Sequence, residues 1–344
     1  MLQFCYYLLI QWITTINKYF SSRIQVKISL SVLIILLLAG CRLSYTKYPE
    51  LAATGTDKVS AERCRECHTA IYEEWSTSPH SRAYSNQLFK ELTNNYQITA
   101  CLNCHAQESA FDQEPQLRTV FLSEGVQCQT CHLQEGKLQG PVEQHLPFNI
   151  HPIQEKNELY LKSDLCGKCH KKTFEEYQRS GMTKKTCQDC HMPAVTRTII
   201  DDLPWVWVKS EFKFRRHTFE IKKADAIEGE LTMSLTLNTQ IPPTGRVVIK
   251  NVSIPHNIPT GAYGYHVLQL TLNLLDFVGD TEEKKTIYLT QELKTSIQPG
   301  ETRIIDFAFE DEQQFPWGIQ AILSKDSLDP AESRVLAEMV KLYQ

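Results

Sequence analysis

The sequence is organised by one short pattern, Cys-x-x-Cys-His, which occurs five times between residues 64 and 191. Its cysteines are Cys64 and Cys67, Cys101 and Cys104, Cys128 and Cys131, Cys166 and Cys169, and Cys187 and Cys190. Its histidines are His68, His105, His132, His170 and His191. This spelling is the attachment motif of c-type haem, in which two thiols bind the porphyrin edge and the histidine coordinates the iron. The sequence therefore predicts five covalently bound haem c groups.

Cysteine pairs also build zinc sites and redox-active dithiols, which are the alternatives to haem. Neither requires a histidine directly after the second cysteine. All five copies have one, although histidine makes up only 11 of the 344 residues. The haem interpretation is therefore favoured over zinc.

The first 40 residues are typical of a secretory leader. They carry three basic and no acidic side chains, and an apolar run from Ile28 to Leu38. A run of this length is short for a membrane span, which needs about 20 residues, but suits a signal peptide. The run leads into Leu38-Ala39-Gly40-Cys41, which resembles the lipobox of bacterial lipoproteins and implies lipidation of Cys41. The alternative is a buried helix with an ordinary cysteine. We expect translation to start near Val26.

These features predict a lipid-anchored protein on the periplasmic side of a bacterial membrane. By the same resemblance, Arg42 after the lipidated position favours the outer membrane. Loss of residues 1–40 changes the net charge from −4 to −7, and no stretch is typical of nucleic-acid binding. Besides the membrane, we expect redox partner proteins, either other cytochromes or a quinol-oxidising membrane protein.

Composition and periodicity predict an α+β chain with a tether over residues 41–59. A mainly helical and irregular haem region follows over 60–221. It has few long apolar runs, so we expect the haems to supply much of its core. From residue 222 to 344, alternating segments such as 231–237 and 302–309 predict a C-terminal antiparallel β-sandwich. Residues 329–343 are predicted to form a C-terminal helix beginning at Asp329-Pro330.

An internal repeat relates residues 64–80 to residues 166–182. Each copy has a haem motif, a predicted short helix with two glutamates and an aromatic residue, and then a candidate ligand. Glu74 aligns with Glu176, and His80 aligns with Met182. The third and fifth motifs also resemble each other in sequence, since both begin Cys-Gln.

Several segments resemble periplasmic multihaem cytochromes c related to the tetrahaem cytochromes of ammonia oxidisers. They are residues 72–80, 125–128, 187–193, 216–219 and 255–261. The resemblance implies haem c cofactors and electron transfer. The chain departs from it by having five motifs instead of four, and by Met182, so the tetrahaem members' activity is not carried over directly.

Six histidines lie outside the motifs and are candidates for the second axial ligands. Position and resemblance favour His80, His217 and His256, followed by His151, with His145 as a further candidate. Met182 is an alternative ligand that would raise the potential of its haem. His266, in an apolar predicted strand, is expected to be structural.

The favoured function is electron transfer through the haems. An alternative is an oxidoreductase acting on a small nitrogen or sulfur compound at a haem with an open distal site, although no Cys-x-x-Cys-Lys motif is present. A third is a non-redox binding protein whose β domain is stiffened by haem. Spin state separates the first two.

Overall fold

The structure, a computed structural model, describes residues 59–135, 137–141, 157–198, 211–219, 229–238, 241–261, 266–310, 318–326 and 333–343. The predicted leader, Cys41, nearly all of the predicted tether, His145 and His151 lie outside these ranges.

Short helices joined by irregular segments form the first part of the chain, as the sequence predicted. The helices are α1 (Ala61–Arg65), α2 (Thr69–Ser76), α3 (Gln87–Leu92), α4 (Thr99–His105), α5 (Cys128–His132), α6 (Asp164–Gly167), α7 (Lys171–Ser180) and α8 (Cys187–His191). Single 3-10 turns lie at Leu122–Glu124 and Glu158–Leu161.

The sequence repeat is also a structural repeat. Helices α2 and α7 each begin directly after a motif histidine, His68 or His170. In each copy the first backbone bond of the new helix returns to that histidine, from Tyr72 or Phe174, at 2.9 Å. Both copies therefore pass from a haem motif into a helix in the same way.

Antiparallel strands form most of the second part. Two small antiparallel pairs already lie in the first part: β1 (Leu133–Gln134) with β2 (Lys137–Leu138) between α5 and α6, and β3 (Ala194–Arg197) with β4 (Phe212–Arg215) after α8. The strands that follow are β5 (Leu231–Asn238), β6 (Thr244–Asn251), β7 (Val267–Leu275), β8 (Thr281–Thr290), β9 (Thr302–Ala308), β10 (Gly318–Asp326) and β11 (Arg334–Leu342). They form one sheet in the order β5-β6-β9 and another in the order β11-β10-β7-β8.

Both larger sheets contribute to one buried apolar cluster. Val247 and Ile249 of β6 alternate with more exposed residues, which is typical of a strand with one face in the core. Strand β7 lies between β8 and β10, and its Leu270, Leu272 and Leu274 are fully buried. The α+β composition and the antiparallel strands predicted from alternation are confirmed.

The predicted C-terminal helix is wrong. Residues 334–342 form strand β11, which pairs antiparallel with β10. Its apolar residues are spaced as on one face of a helix, but Val340 is 52 % exposed whereas Leu336 is buried. Pairing with an existing sheet edge therefore outweighed the helical spacing. Among the described residues, no helix combines the length and apolar character that crossing a membrane requires.

Candidate haem-binding site

Each Cys-x-x-Cys-His motif forms about one helical turn. Three of the motifs lie in α4, α5 and α8. In the first and fourth, the backbone N–H of His68 or His170 donates to the carbonyl of the first cysteine at 2.9 Å. Positions i, i+3 and i+4 share one face of a helix. The spacing therefore presents both thiols and the imidazole on the same side.

Three motif histidines each face a histidine from outside the motifs. The ring centres of His80 and His170 are 6.1 Å apart. Those of His132 and His217 are 6.3 Å apart, and those of His191 and His256 are 6.4 Å apart. The partners are far apart in sequence, so the tertiary fold creates each pair.

These separations fit a metal ion shared by two imidazoles. A metal–nitrogen bond to histidine is about 2.0 Å long, so two nitrogens on opposite sides of one ion are about 4 Å apart. The centre of each ring lies roughly 1.1 Å behind its nitrogen, which places the ring centres about 6 Å apart. The residues present therefore fit an iron bound on both sides by histidine.

Backbone carbonyls orient several of these rings. The Nδ1 atoms of His132, His217 and His256 lie 2.8, 3.1 and 2.9 Å from the carbonyl oxygens of Gln139, Arg215 and Asn257. A carbonyl only accepts, so Nδ1 must carry the proton. The Nε2 lone pair is then available to a metal, as is usual in protein sites.

The surroundings of the rings favour the neutral form that binds metals. Desolvation, with nearby His170 in addition, lowers the pKa of His80 to about 3. Desolvation also lowers the pKa of His217 to about 4. Desolvation is also the main reason why the pKa values of His132, His170 and His256 are lowered. These imidazoles are therefore neutral at pH 7.

The thiols of different motifs lie against one another. Cys64 of the first motif lies close enough to Cys128 of the third for each thiol to shift the pKa of the other. In the same way the second motif contacts the fourth, and the fourth contacts the fifth, through the pairs Cys104–Cys169 and Cys166–Cys187. A zinc site would instead need several ligands around one point. Within the described ranges, no group of three or more His, Cys, Asp or Glu side chains is so arranged.

Aromatic side chains lie beside several of these histidines. Phe219 has its ring centre 4.2 Å from that of His80 and 5.9 Å from that of His217. Tyr160 stacks on His132 at 5.2 Å and donates its hydroxyl to the carbonyl of Cys131. Such rings suit a large flat cofactor. The sequence assigned neither aromatic residue a role, although Phe219 lies in segment 216–219, because an aromatic residue gives no sign of what it contacts.

The turn carrying His80 is fixed by the segment before the third motif. The Val126 N–H donates to the His80 carbonyl at 2.9 Å, and Trp75 Nε1 donates to the Val126 carbonyl at 2.8 Å. Gly125 has a φ of +59°, and a Cβ there would lie 2.8 Å from the backbone nitrogen of Ala83. This close approach requires glycine.

The remaining candidates occupy different positions. His266 packs against Gly261, where an added Cβ would lie 2.6 Å from the His266 ring. Met182 follows α7 and is 38 % exposed. The ring of His105 stacks on Phe89 at 4.0 Å, and its Nδ1 lies 2.6 Å from the Ala83 carbonyl oxygen. His145 and His151 lie outside the described residues.

Comparison with known proteins gives two matches and one negative result. Residues 63–133 match the family described as cytochrome c554 and c-prime. The fold is similar to the crystal structure of a penta-heme cytochrome c552 from Thermochromatium tepidum, with a TM-score of 0.55 and 16 % sequence identity. That likeness covers 83 % of this chain and 99 % of the other, so it extends beyond the helical region. None of the curated proteins compared with the chain matches it.

Proposed function

We propose that this chain is a multihaem c-type cytochrome that transfers electrons through five covalently bound haem c groups. Haem c supplies an iron that changes between the ferric and ferrous states. The motif cysteines would hold each porphyrin by thioether bonds, and the histidine after them would ligate the iron.

The three histidine pairs, with ring centres 6.1 to 6.4 Å apart, carry this proposal. An iron with histidine on both sides has no free position for a substrate. Such a site changes oxidation state without binding a small molecule, which is what electron transfer needs and what catalysis at the iron does not. The geometry of these pairs therefore favours a carrier over an oxidoreductase.

The contacts between motifs support transfer along a connected series of cofactors. Thiol contacts join the first motif to the third, the second to the fourth, and the fourth to the fifth. Cys131 of the third motif lies close enough to Cys166 of the fourth to raise the pKa of that thiol, after the larger effects of Cys187 and desolvation. Every motif therefore has at least one neighbour, and the fourth is central.

A haem count and a spin-state measurement on the purified protein test this function. The pyridine haemochrome assay and intact mass should agree on five haems. The electron paramagnetic resonance (EPR) spectrum should be low-spin for the haems at His132, His170 and His191. Two or more empty motifs in fully matured protein, or high-spin haems that bind carbon monoxide at these three sites, would contradict the proposal.

We further infer that the two larger sheets are the layers of the predicted β-sandwich, since they share one buried cluster. The loop after β6 carries His256 to the fifth motif. The β region would thereby supply an axial ligand to a haem held by the helical region, and the two regions would be joined through that iron.

Membrane attachment through Cys41 is also part of the proposal, with other cytochromes or a quinol-oxidising membrane protein as redox partners. The lipobox-like sequence supports it. Two or three acyl chains give stable anchoring, at about 0.8 kcal/mol per buried methylene. Cys41→Ser should move the protein from the membrane fraction to the soluble periplasm, as judged by fractionation. Unchanged membrane association would show that Cys41 is not the anchor.

A further inference from the structure

We propose that Glu74 and Glu176 are equivalent positioning residues. Each follows one haem motif in the chain but holds the backbone at the distal histidine of a haem bound to a different motif. Glu74 would position His217 for the third haem, and Glu176 would position His256 for the fifth. This inference rests on the proposed function, because it assumes that these histidines are iron ligands.

Glu176 lies on α7, and its carboxylate accepts four hydrogen bonds. Oε2 accepts from the Asn257 backbone N–H at 3.1 Å and from the Thr260 hydroxyl at 2.6 Å. Oε1 accepts from the Asn257 and Gln291 side-chain amides, each at 3.1 Å. All three partners belong to the β region, and Asn257 directly follows His256. The carboxylate therefore connects the helix after the fourth motif to the loop that carries the distal histidine.

Glu74 makes the corresponding contact on α2. Its Oε2 accepts from the backbone N–H of His217 itself at 3.0 Å. The same carboxylate pairs with Arg197 at 2.9 Å and with Arg216, next to the histidine, at 3.4 Å. Its side chain is only 13 % exposed. The backbone of this distal histidine is therefore also bound to a carboxylate that is largely shielded from solvent.

The internal repeat makes these two contacts equivalent. Glu74 and Glu176 occupy the same position in the two copies. The glutamates before them are exposed, and Glu175 has a side-chain exposure of 62 % and pairs with Arg179 on its own helix. Burial of a carboxylate is costly unless hydrogen bonds compensate it. In both copies the compensating groups include the backbone at a distal histidine, which a purely solvated helix face would not provide.

The two sites differ in charge compensation. Arginines neutralise Glu74, whereas the hydrogen-bond donors to Glu176 are neutral. A nearby uncompensated negative charge stabilises the ferric state over the ferrous state, because the ferric state carries one more positive charge. Glu176 should therefore also lower the reduction potential of the haem that His256 serves.

Glu176→Gln tests the proposal, with Glu175→Gln as the matched control. Glutamine keeps the volume but replaces one oxygen by an NH2 group. In place of Oε1 this group loses both amide donors, and in place of Oε2 it loses the Asn257 backbone N–H, while the Thr260 hydroxyl can accept from it instead of donating. We expect full haem incorporation, a shifted or partly high-spin EPR signal from one haem, and a more positive potential for that haem. His256→Ala should alter the same signal and so identify it. Glu175→Gln should change none of these properties.

Glu74→Gln should alter a different signal, the one that His217→Ala identifies. If Glu176→Gln assembles poorly, Thr260→Val removes a single donor and should shift the same signal by less. An unchanged signal and potential in Glu176→Gln with all haems present would overturn the inference, as would equal effects of Glu175→Gln. Failure of the proposed function would look different, since the wild-type protein would then lack low-spin signals at these sites.

Discussion

The helical region and the strand region of this chain bury different kinds of side chain. Of the buried apolar residues in the described ranges, four lie before residue 200 and 19 lie after it. The helical region instead buries polar residues beside its motifs, including Gln107, Gln129, Thr130 and Gln188. The strand region therefore has an aliphatic core of its own, whereas the helical region buries mainly polar side chains next to its Cys-x-x-Cys-His motifs.

This difference shows where the stability of each region comes from. Burial of apolar surface contributes about 25 cal/mol per Å² and is the main favourable term in folding. The strands obtain it from their own leucines, isoleucines and valines. The helical region has few such side chains, so under the proposed function its folding would depend on large apolar cofactors bound through the cysteines. Haem would then be a structural component of the helical region as well as its redox centre.

The largest expected effect follows from withholding haem. In protein made without cytochrome c maturation, residues 59–219 should lose their resistance to protease, while a fragment beginning near residue 229 should survive. Limited proteolysis with mass spectrometry checks this, with the matured protein as control. Equal protease resistance of the two regions in haem-free protein would contradict the claim that only the helical region depends on haem.

A smaller and more local effect is expected from the aliphatic core. Leu270→Ala removes a fully buried side chain of β7 and should lower the free energy of unfolding by about 2–5 kcal/mol. The haem spectra should not change. The control is Ile304→Ala on β9, where the side chain is 54 % exposed and the cost should be within about 0.5 kcal/mol. Chemical denaturation followed by far-ultraviolet circular dichroism measures both, and equal costs would contradict the account.

The smallest effect concerns the backbone that supports His80. Gly125→Ala places a Cβ against the His80 turn in a left-handed conformation. We expect a loss of about 2 kcal/mol and an altered EPR signal from the haem at His170. Gly181→Ala has a similar φ of +58° but open space around the new Cβ. It should cost about 1 kcal/mol and leave the spectrum unchanged. An unaltered signal in Gly125→Ala would show that this glycine does not support the ligand.

Local features of this fold could be predicted from the sequence. The i, i+3, i+4 spacing of the motifs and the alternation in β5, β6, β7 and β9 depend on neighbouring residues alone. The C-terminal strand could not, because the spacing of Leu336, Met339 and Val340 also fits a helix and only the edge of β10 decides between them. Strand β8 could not be predicted either, because the consecutive charged residues Glu282, Glu283 and Lys284 interrupt the alternation of apolar and polar side chains.

The arrangement of the candidate site was predictable only in part. The sequence supplied the ligand candidates, and three of them lie opposite motif histidines. Which histidine faces which motif depends on contacts across long stretches of chain, such as that from His80 to His170, and no local pattern encodes it. The roles of Glu74 and Glu176 are hidden for the same reason, although the repeat had aligned them.

The most direct test of the central claim is the EPR spectrum of three single variants, His80→Ala, His217→Ala and His256→Ala. Each histidine faces a different motif histidine, so each variant should convert a different single haem from six-coordinate low-spin to five-coordinate high-spin. The haem count should stay the same in all three. Unchanged low-spin signals in these variants, with every haem in place, would show that the histidine pairs do not share an iron.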